Sequence, residues 1–537
     1  MKTLPLIFLL LKCTQGLPRV DPLVDTSAGL IRGLQSQDGD YAVFLGVPYA
    51  VVDENNPFSA ATPHPGFNHT FEAYNDDTSC PQFSNNVAIG TIQCLQLNLY
   101  VPNSADSHHT LPVMVYFHGG AFIRGQKSER ELSPKFLVRH DVIVVTFNYR
   151  VGAYGFLCVS EPELNNQGLK DQLLAMKWIK DNIAAFGGDV NRITAFGHSA
   201  GAMSLDIQLL GTEGLVHRAI VKSGSALTTW VVTEQDDTLV LNVADRLGYE
   251  GDDLKEAVKF LSTIDPLEVI ETANDVMFFG FGHPHTRPCI EGKVNDAVLE
   301  DFPINLQPKV KGMDIMIGHT SKEAKFMYAD NSNNDFYRNY EFEEELGFIF
   351  EDIPDVDTVK HFYIGDRVIS EELQSVILDY GSDLAFNYPA DMTVDRYINA
   401  RANKVFRFMF SYEGGRNKAK ISRNFTSDGV SHGDDTAYLF DVPMFRDTTP
   451  SEDDQKIIDA MTTMWTNFAK YGDPTPSISN ATPVKWQSAD QSRRPYLNID
   501  KQITLESRVF HDRMAFWDLY YKLYADKIKG YKMDVSE

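Results

Sequence analysis

Residues 192–203 form an apolar run that breaks at Gly197-His198-Ser199-Ala200-Gly201 and continues into a helix-compatible stretch. A serine on so sharp a strand-to-helix turn projects its hydroxyl from the top of a sheet, and the flanking glycines let strand and helix approach without Cβ clashes. Ser199 is therefore a candidate nucleophile. Attack on an ester carbonyl places negative charge on an oxygen, which needs preorganised donors. The apolar run Leu111–Phe117 has the composition of a buried strand, and His118-Gly119-Gly120-Ala121-Phe122 follows at once. The N–H groups of Gly119 and Gly120, with that of Ala200 just after the serine, form a candidate oxyanion hole. The serine also needs a base, and the base needs an acid to orient it, expected in the order acid then histidine. Gly318-His319-Thr320-Ser321-Lys322-Glu323 follows a strand-like run at 313–317, and Gly429-Val430-Ser431-His432-Gly433-Asp434-Asp435 follows another at 405–412 and a polar loop. Loops beyond the C-terminal ends of parallel strands are where such a sheet gathers reactive groups. In this reading His432 takes the serine proton and Glu323 holds its tautomer and stabilises its cation, with Glu291 and Asp434 as rival acids.

The elements that must position these groups are visible as alternation. Strand-like runs at 112–117, 142–147, 192–196, 218–222, 313–317 and 405–411 are interleaved with helical periodicity, as at 169–183, where apolar residues recur at steps of three and four. The pattern predicts an α/β fold: one large, mostly parallel central sheet with helices on both faces. A length of 537 residues suggests two to four domains on average domain size. No linker, repeat or low-complexity block divides the chain, so residues 17–537 read as one catalytic domain.

These stretches together resemble the type B carboxylesterase and cholinesterase family, within the α/β-hydrolases, and most of all its secreted insect esterases. Besides the segments above, the resemblance rests on Phe44-Leu45-Gly46-Val47-Pro48-Tyr49-Ala50, Cys94-Leu95-Gln96-Leu97-Asn98, Asn148-Tyr149-Arg150, Gly155-Phe156-Leu157, Asn182-Ile183 and Phe186-Gly187-Gly188-Asp189. It implies a triad of Ser199, Glu323 and His432, an oxyanion hole of Gly119, Gly120 and Ala200, and a disulfide between Cys80 and Cys94. No cofactor or metal is called for, and no cysteine or histidine cluster has zinc-ligand spacing.

Met1 to Gly16 reads as a secretory signal peptide, with Lys2, the apolar run 4–11 and small residues before the expected cleavage point. No other apolar run is long enough to span a membrane, and the C-terminus offers no anchor signal, so the mature chain is expected to be secreted and extracellular. Cys158, in an apolar run, reads as a buried thiol, and Cys289 has no evident partner. Sequons at Asn68, Asn424 and Asn480 are candidate glycosylation sites, Asn480 the least favoured because Pro483 follows it. The formal charge of −25 becomes about −27 when Lys2 and Lys12 leave with the leader. So acidic a surface argues against nucleic acid as a partner and leaves a small-molecule ester; oligomeric state is not readable.

Departures from the family pattern bear on substrate. Residues 81–93, inside the expected disulfide loop, contain no tryptophan, where cholinesterases carry one to bind quaternary ammonium. His198 stands where cholinesterases have glutamate and juvenile hormone esterases typically have glutamine. Ile92-Gln93 replaces an acidic pair, which puts in doubt a structural salt bridge common in the family. The expectation is a serine carboxylesterase for neutral lipophilic esters, whether xenobiotic, odorant, pheromone or hormone. The alternatives are a catalytically silent adhesion or binding member, a cholinesterase or a juvenile hormone esterase.

Overall fold

The computed structural model describes residues 22–532, apart from residues 37, 107, 215, 276, 277, 280–282, 329–339 and 426. The expected leader at 1–16 lies outside the described residues. The centre is an 11-stranded sheet. In chain order its strands are β1 (Leu34–Gln35), β2 (Tyr41–Pro48), β3 (Gln96–Pro102), β4 (Leu111–Phe117), β5 (Ile143–Phe147), β6 (Gly188–His198), β7 (Arg218–Lys222), β8 (Asp314–Thr320), β9 (Lys404–Phe410), β10 (Pro495–Ile499) and β11 (Thr504–Ser507). Their spatial order is β1-β2-β3-β5-β4-β6-β7-β8-β9-β10-β11. From β5 across to β10 every neighbouring pair is parallel; the pairs at the two edges are antiparallel.

Both faces of the parallel strands are covered, which is why those strands read as unbroken apolar runs. Along β4, Leu111, Val113, Val115 and Phe117 enter one core cluster, while Met114 and Tyr116 enter another on the opposite face, as the two-residue period of a strand requires. Helices α1 (Gln167–Asn182) and α2 (Ala200–Gly211) bring Leu169, Met176, Ile179, Met203, Leu205 and Ile207 to the first cluster. On the other face a helix at Glu452–Tyr471 contributes Ile458, Met461, Met464, Trp465 and Phe468. Burying each such large apolar side chain stabilises the fold by about 2 kcal/mol relative to exposure.

The expected strands all form, with one informative change of length. The segment Gly318-His319-Thr320 continues β8 instead of opening a loop, because Gly318, His319 and Thr320 pair with Phe408, Met409 and Phe410 of β9. Tertiary pairing here outweighs the poor strand propensity of glycine. The expected Cys80–Cys94 disulfide is present, with Cα atoms 4.9 Å apart, and closes the hairpin Gln82–Ser84/Val87–Ile89. The reading of Cys158 as a free thiol and Cys289 as partnerless is incorrect: the two form a second disulfide. They are 131 residues apart, and only the fold makes them neighbours. The Asp236 N–H donates to Cys158 O at 2.8 Å, and Thr233 bridges to Cys289, so the segment 233–236 carries both cysteines alongside it.

Candidate active site

Ser199 sits between β6 and α2 with φ 57° and ψ −130°, a conformation that costs a non-glycine residue about 1–3 kcal/mol and is retained where the surroundings impose it. What imposes it here is contact. A Cβ on Gly201 would lie 2.1 Å from Phe117 O, and one on Gly197 would lie 2.5 Å from the Gly201 carbonyl carbon. Only glycines allow β4, β6 and α2 to meet this closely. The Ser199 N–H donates to Lys222 O at 3.0 Å, which anchors the turn to β7.

The loop after β4 packs on this turn. A Cβ added to Gly119 would approach His198 O to 2.6 Å and Ser199 Cβ to 3.0 Å, so the Gly119 backbone lies against the candidate nucleophile. The loop's shape is held by positive φ at Gly120, Ala121 and Phe122 and by His118. That imidazole stacks on Tyr149 with centroids 4.2 Å apart, while the Tyr149 hydroxyl donates to His118 O at 2.6 Å. Burial drives the His118 ring down to about 4, so it is neutral in use. Among the described residues the N–H groups of Gly119, Gly120 and Ala200 have no acceptor within the protein, which leaves all three free to donate to a bound oxygen.

The candidate acid and the candidate base lie together. Glu323, fully buried just beyond β8, accepts the Thr320 N–H on Oε1 at 2.7 Å, and its Oε2 lies 2.5 Å from His432 Nδ1. With Nδ1 donating to the carboxylate, the network assigns the lone pair to Nε2. Burial by itself would raise the Glu323 carboxyl, but the imidazole bonded to it more than offsets this and pushes it down to about 2. No hydrogen bond joins Ser199 Oγ to the ring; such contacts often close only in the Michaelis complex. The rival acids are occupied elsewhere. Glu291 accepts from Asn166 and from the Val298 and Leu299 N–H groups and pairs with Lys170; Asp434 accepts from the N–H groups of Ser431, Ala419 and Lys420.

Several supporting residues had no local sequence signal. Phe326 and Phe386 flank the His432 ring at 4.7 and 5.0 Å. Phe386 belongs to a π-helical turn, Asp383–Asn387, an irregularity common near functional sites. Ser382, just before it, accepts the Ala324 N–H at 3.0 Å and so ties the loop that bears Glu323 to that helix. Lys222 Nζ meets Asp435 Oδ1 at 2.7 Å, pinning the turn that bears His432 to the end of β7. At the position of the family's acidic pair, Gln93 donates to Val52 O at 2.7 Å; elsewhere the buried Arg150 guanidinium pairs with Asp171 through two contacts of 2.8 Å. A cavity of about 470 Å³ lined by Leu227, Thr228, Val232, Phe302 and Tyr521 includes none of Ser199, Glu323 and His432.

The Carboxylesterase family matches residues 20–517. Human bile salt-activated lipase is 31% identical over 97% of this chain and 72% of its own length. Juvenile hormone esterase of Tribolium castaneum is 30% identical over 92% of this chain and 93% of its own. The crystal structure of juvenile hormone esterase from Manduca sexta, with OTFP covalently attached, superposes with a TM-score of 0.80 at 25% identity, covering 94% of this chain and 100% of that one. Family, fold and relatives converge: the chain belongs to the carboxylesterase family of α/β-hydrolases and is a carboxylic ester hydrolase.

Proposed function

We propose that the chain is a secreted serine carboxylesterase that cleaves neutral lipophilic esters through an acyl-enzyme on Ser199. His432 Nε2 removes the Ser199 proton as Oγ attacks the ester carbonyl. The N–H groups of Gly119, Gly120 and Ala200 receive the oxyanion, and Glu323 stabilises the imidazolium. The imidazolium then protonates the leaving alcohol, and water repeats the cycle to release the acid. The observation that carries this reading is the contact of 2.5 Å between His432 Nδ1 and the fully buried Glu323, whose carboxylate stays ionised and dictates the tautomer of the base. The Manduca sexta relative carries OTFP covalently attached, which supports a covalent route for a relative of this chain.

The lipophilic preference rests on Phe326 and Phe386 beside His432 and on the lack of tryptophan in the Cys80–Cys94 loop. A quaternary ammonium then misses a cation–π contact of up to about 2 kcal/mol, or about thirtyfold in kcat/KM. Secretion after a leader at 1–16, with 17–537 as a single catalytic domain, is supported by the two disulfides, which suit an oxidising compartment. Among the described residues no helix is long and apolar enough to cross a membrane. Asn68 and Asn424 are exposed, as glycan acceptors require. Asn480 is exposed too, but its sequon hydroxyl is committed: Thr482 is buried and donates to Ser477 O at 2.9 Å.

The deciding experiment is labelling with an organophosphate, mapped by mass spectrometry, alongside Ser199→Ala. One label per chain on Ser199 and an inactive variant are expected; a label on another serine, or full activity without Ser199, removes the mechanism. For specificity, butyrylcholine is compared with its neutral 3,3-dimethylbutyl isostere, and a choline ester turned over tenfold better than the isostere contradicts the neutral preference.

A further inference from the structure

His198 is the residue before the candidate nucleophile, and its half-buried imidazole packs against the candidate base. Its ring lies 4.6 Å from that of His432, tilted by 33°. A Cβ on Gly433 would come within 3.2 Å of His198 Cε1, so the ring is wedged beneath the turn that carries the base. His198 Nε2 is buried and has no hydrogen-bond partner, which a cationic ring in this position would not tolerate. We propose that His198 is the positioning residue of the general base, a neutral imidazole that braces the His432 ring against Glu323 and keeps the ground behind it free of net charge. This rests on the triad reading above and extends it to a residue outside the triad.

The charges around His432 support the second half of the inference. Glu323 faces it from the end of β8. Lys222 stands beside His198 in the β6–β7 register and is neutralised by Asp435 at 2.7 Å. Asp434, in the same turn as the base, is taken up by three backbone N–H groups. Phe326 and Phe386 are uncharged, and Lys418 acts on His198 from the start of the short helix Lys418–Ser422. Burial first, then Lys222, His432 and Lys418, hold the His198 ring well below the usual histidine range. Glu323 is thus left as the uncompensated charge next to the base. A carboxylate at position 198 would add a second, within the distance at which an opposite charge shifts a titration by about one to three pH units.

The test is the pH profile of kcat/KM with a neutral 4-nitrophenyl ester for the wild type, His198→Gln and His198→Glu. Glu is expected to move the acid limb up by about one pH unit. Gln, which adds no charge, is expected to leave the limb in place while lowering kcat several-fold at unchanged KM through lost packing. A limb that stays put in His198→Glu, or that moves equally in His198→Gln, overturns the proposal. If His198→Glu does not fold, ¹⁵N-histidine spectra of the wild type, assigned by difference from His198→Gln, decide. A His198 ring neutral from pH 8 to 5 supports the inference, and its protonation in that interval overturns it. Retained activity in Ser199→Ala would instead remove the triad reading itself, so the two failures are distinguishable.

Discussion

Glu323→Gln keeps the shape of the acid and removes its charge. The 2.5 Å contact to His432 Nδ1 becomes a contact to an amide, whose NH2 favours the tautomer with the proton on Nε2, and that tautomer cannot accept from Ser199. A carboxyl held at about 2 against an ordinary 4.5 prefers its ionised form by about 3 kcal/mol. An imidazolium and a carboxylate about 4 Å apart attract by about 4 kcal/mol at an effective dielectric near 20. These figures correspond to roughly a hundredfold to a thousandfold in rate, at about 1.4 kcal/mol per factor of ten. With the wrong tautomer added, the expected loss in kcat is of order 10⁴, as when serine proteases lose the acid that fixes the tautomer. The assay is kcat and KM for 4-nitrophenyl butyrate at pH 8, with circular dichroism to establish folding; KM should stay within a few-fold. A loss under tenfold here, together with collapse of activity in Asp434→Asn, would refute the reasoning and move the role to Asp434. The same pair acts on stability. The folded-state carboxyl lies below its unfolded value of about 4.3, so its stabilisation is fully present above that pH and is lost as pH falls towards 2. Glu323→Gln should lack this part of the acid unfolding curve.

Gly119→Ala places a methyl 2.6 Å from His198 O and 3.0 Å from Ser199 Cβ, displacing one oxyanion donor; a 10²–10³-fold loss in kcat with normal secretion is expected, and near wild-type kcat would exclude Gly119 from the hole. Replacing Cys158 and Cys289 by serine opens a loop closed over 131 residues, which on the chain-entropy estimate costs about 5 kcal/mol of unfolding free energy; an unchanged guanidinium midpoint would contradict this. Peptide mapping of the secreted protein should find glycans at Asn68 and Asn424 and none at Asn480, and full occupancy at Asn480 would show that the Thr482 hydroxyl bond does not protect it.

What could be read from the chain in one dimension was the chemistry carried by contiguous residues. The turn at Ser199 announces itself because its strand, its two glycines and its helix are adjacent in sequence and each is required by close backbone contact. The same holds for Leu111–Phe117 with the glycines behind it, and for α1, whose apolar spacing located it to within two residues. Glu323 and His432 were legible as candidates from the loops they occupy, but nothing local ranked Glu323 above Asp434 or Glu291. The proposal for Glu323 rests on hydrogen-bond partners: it reaches His432 Nδ1, whereas Asp434 and Glu291 accept from other groups. Whatever depends on chain segments far apart was decided only by the sheet order, in which β4 lies between β5 and β6 and β7 brings Lys222 beside His198. The Lys222–Asp435 pair spans 213 residues and the second disulfide 131, so neither leaves a mark at the spacing of a helix or a strand. The wedge of His198 under His432 is of the same kind. Sequence periodicity reports which face of an element is buried, whereas what that face meets is set by packing between elements, and there the tertiary structure alone chose the partners.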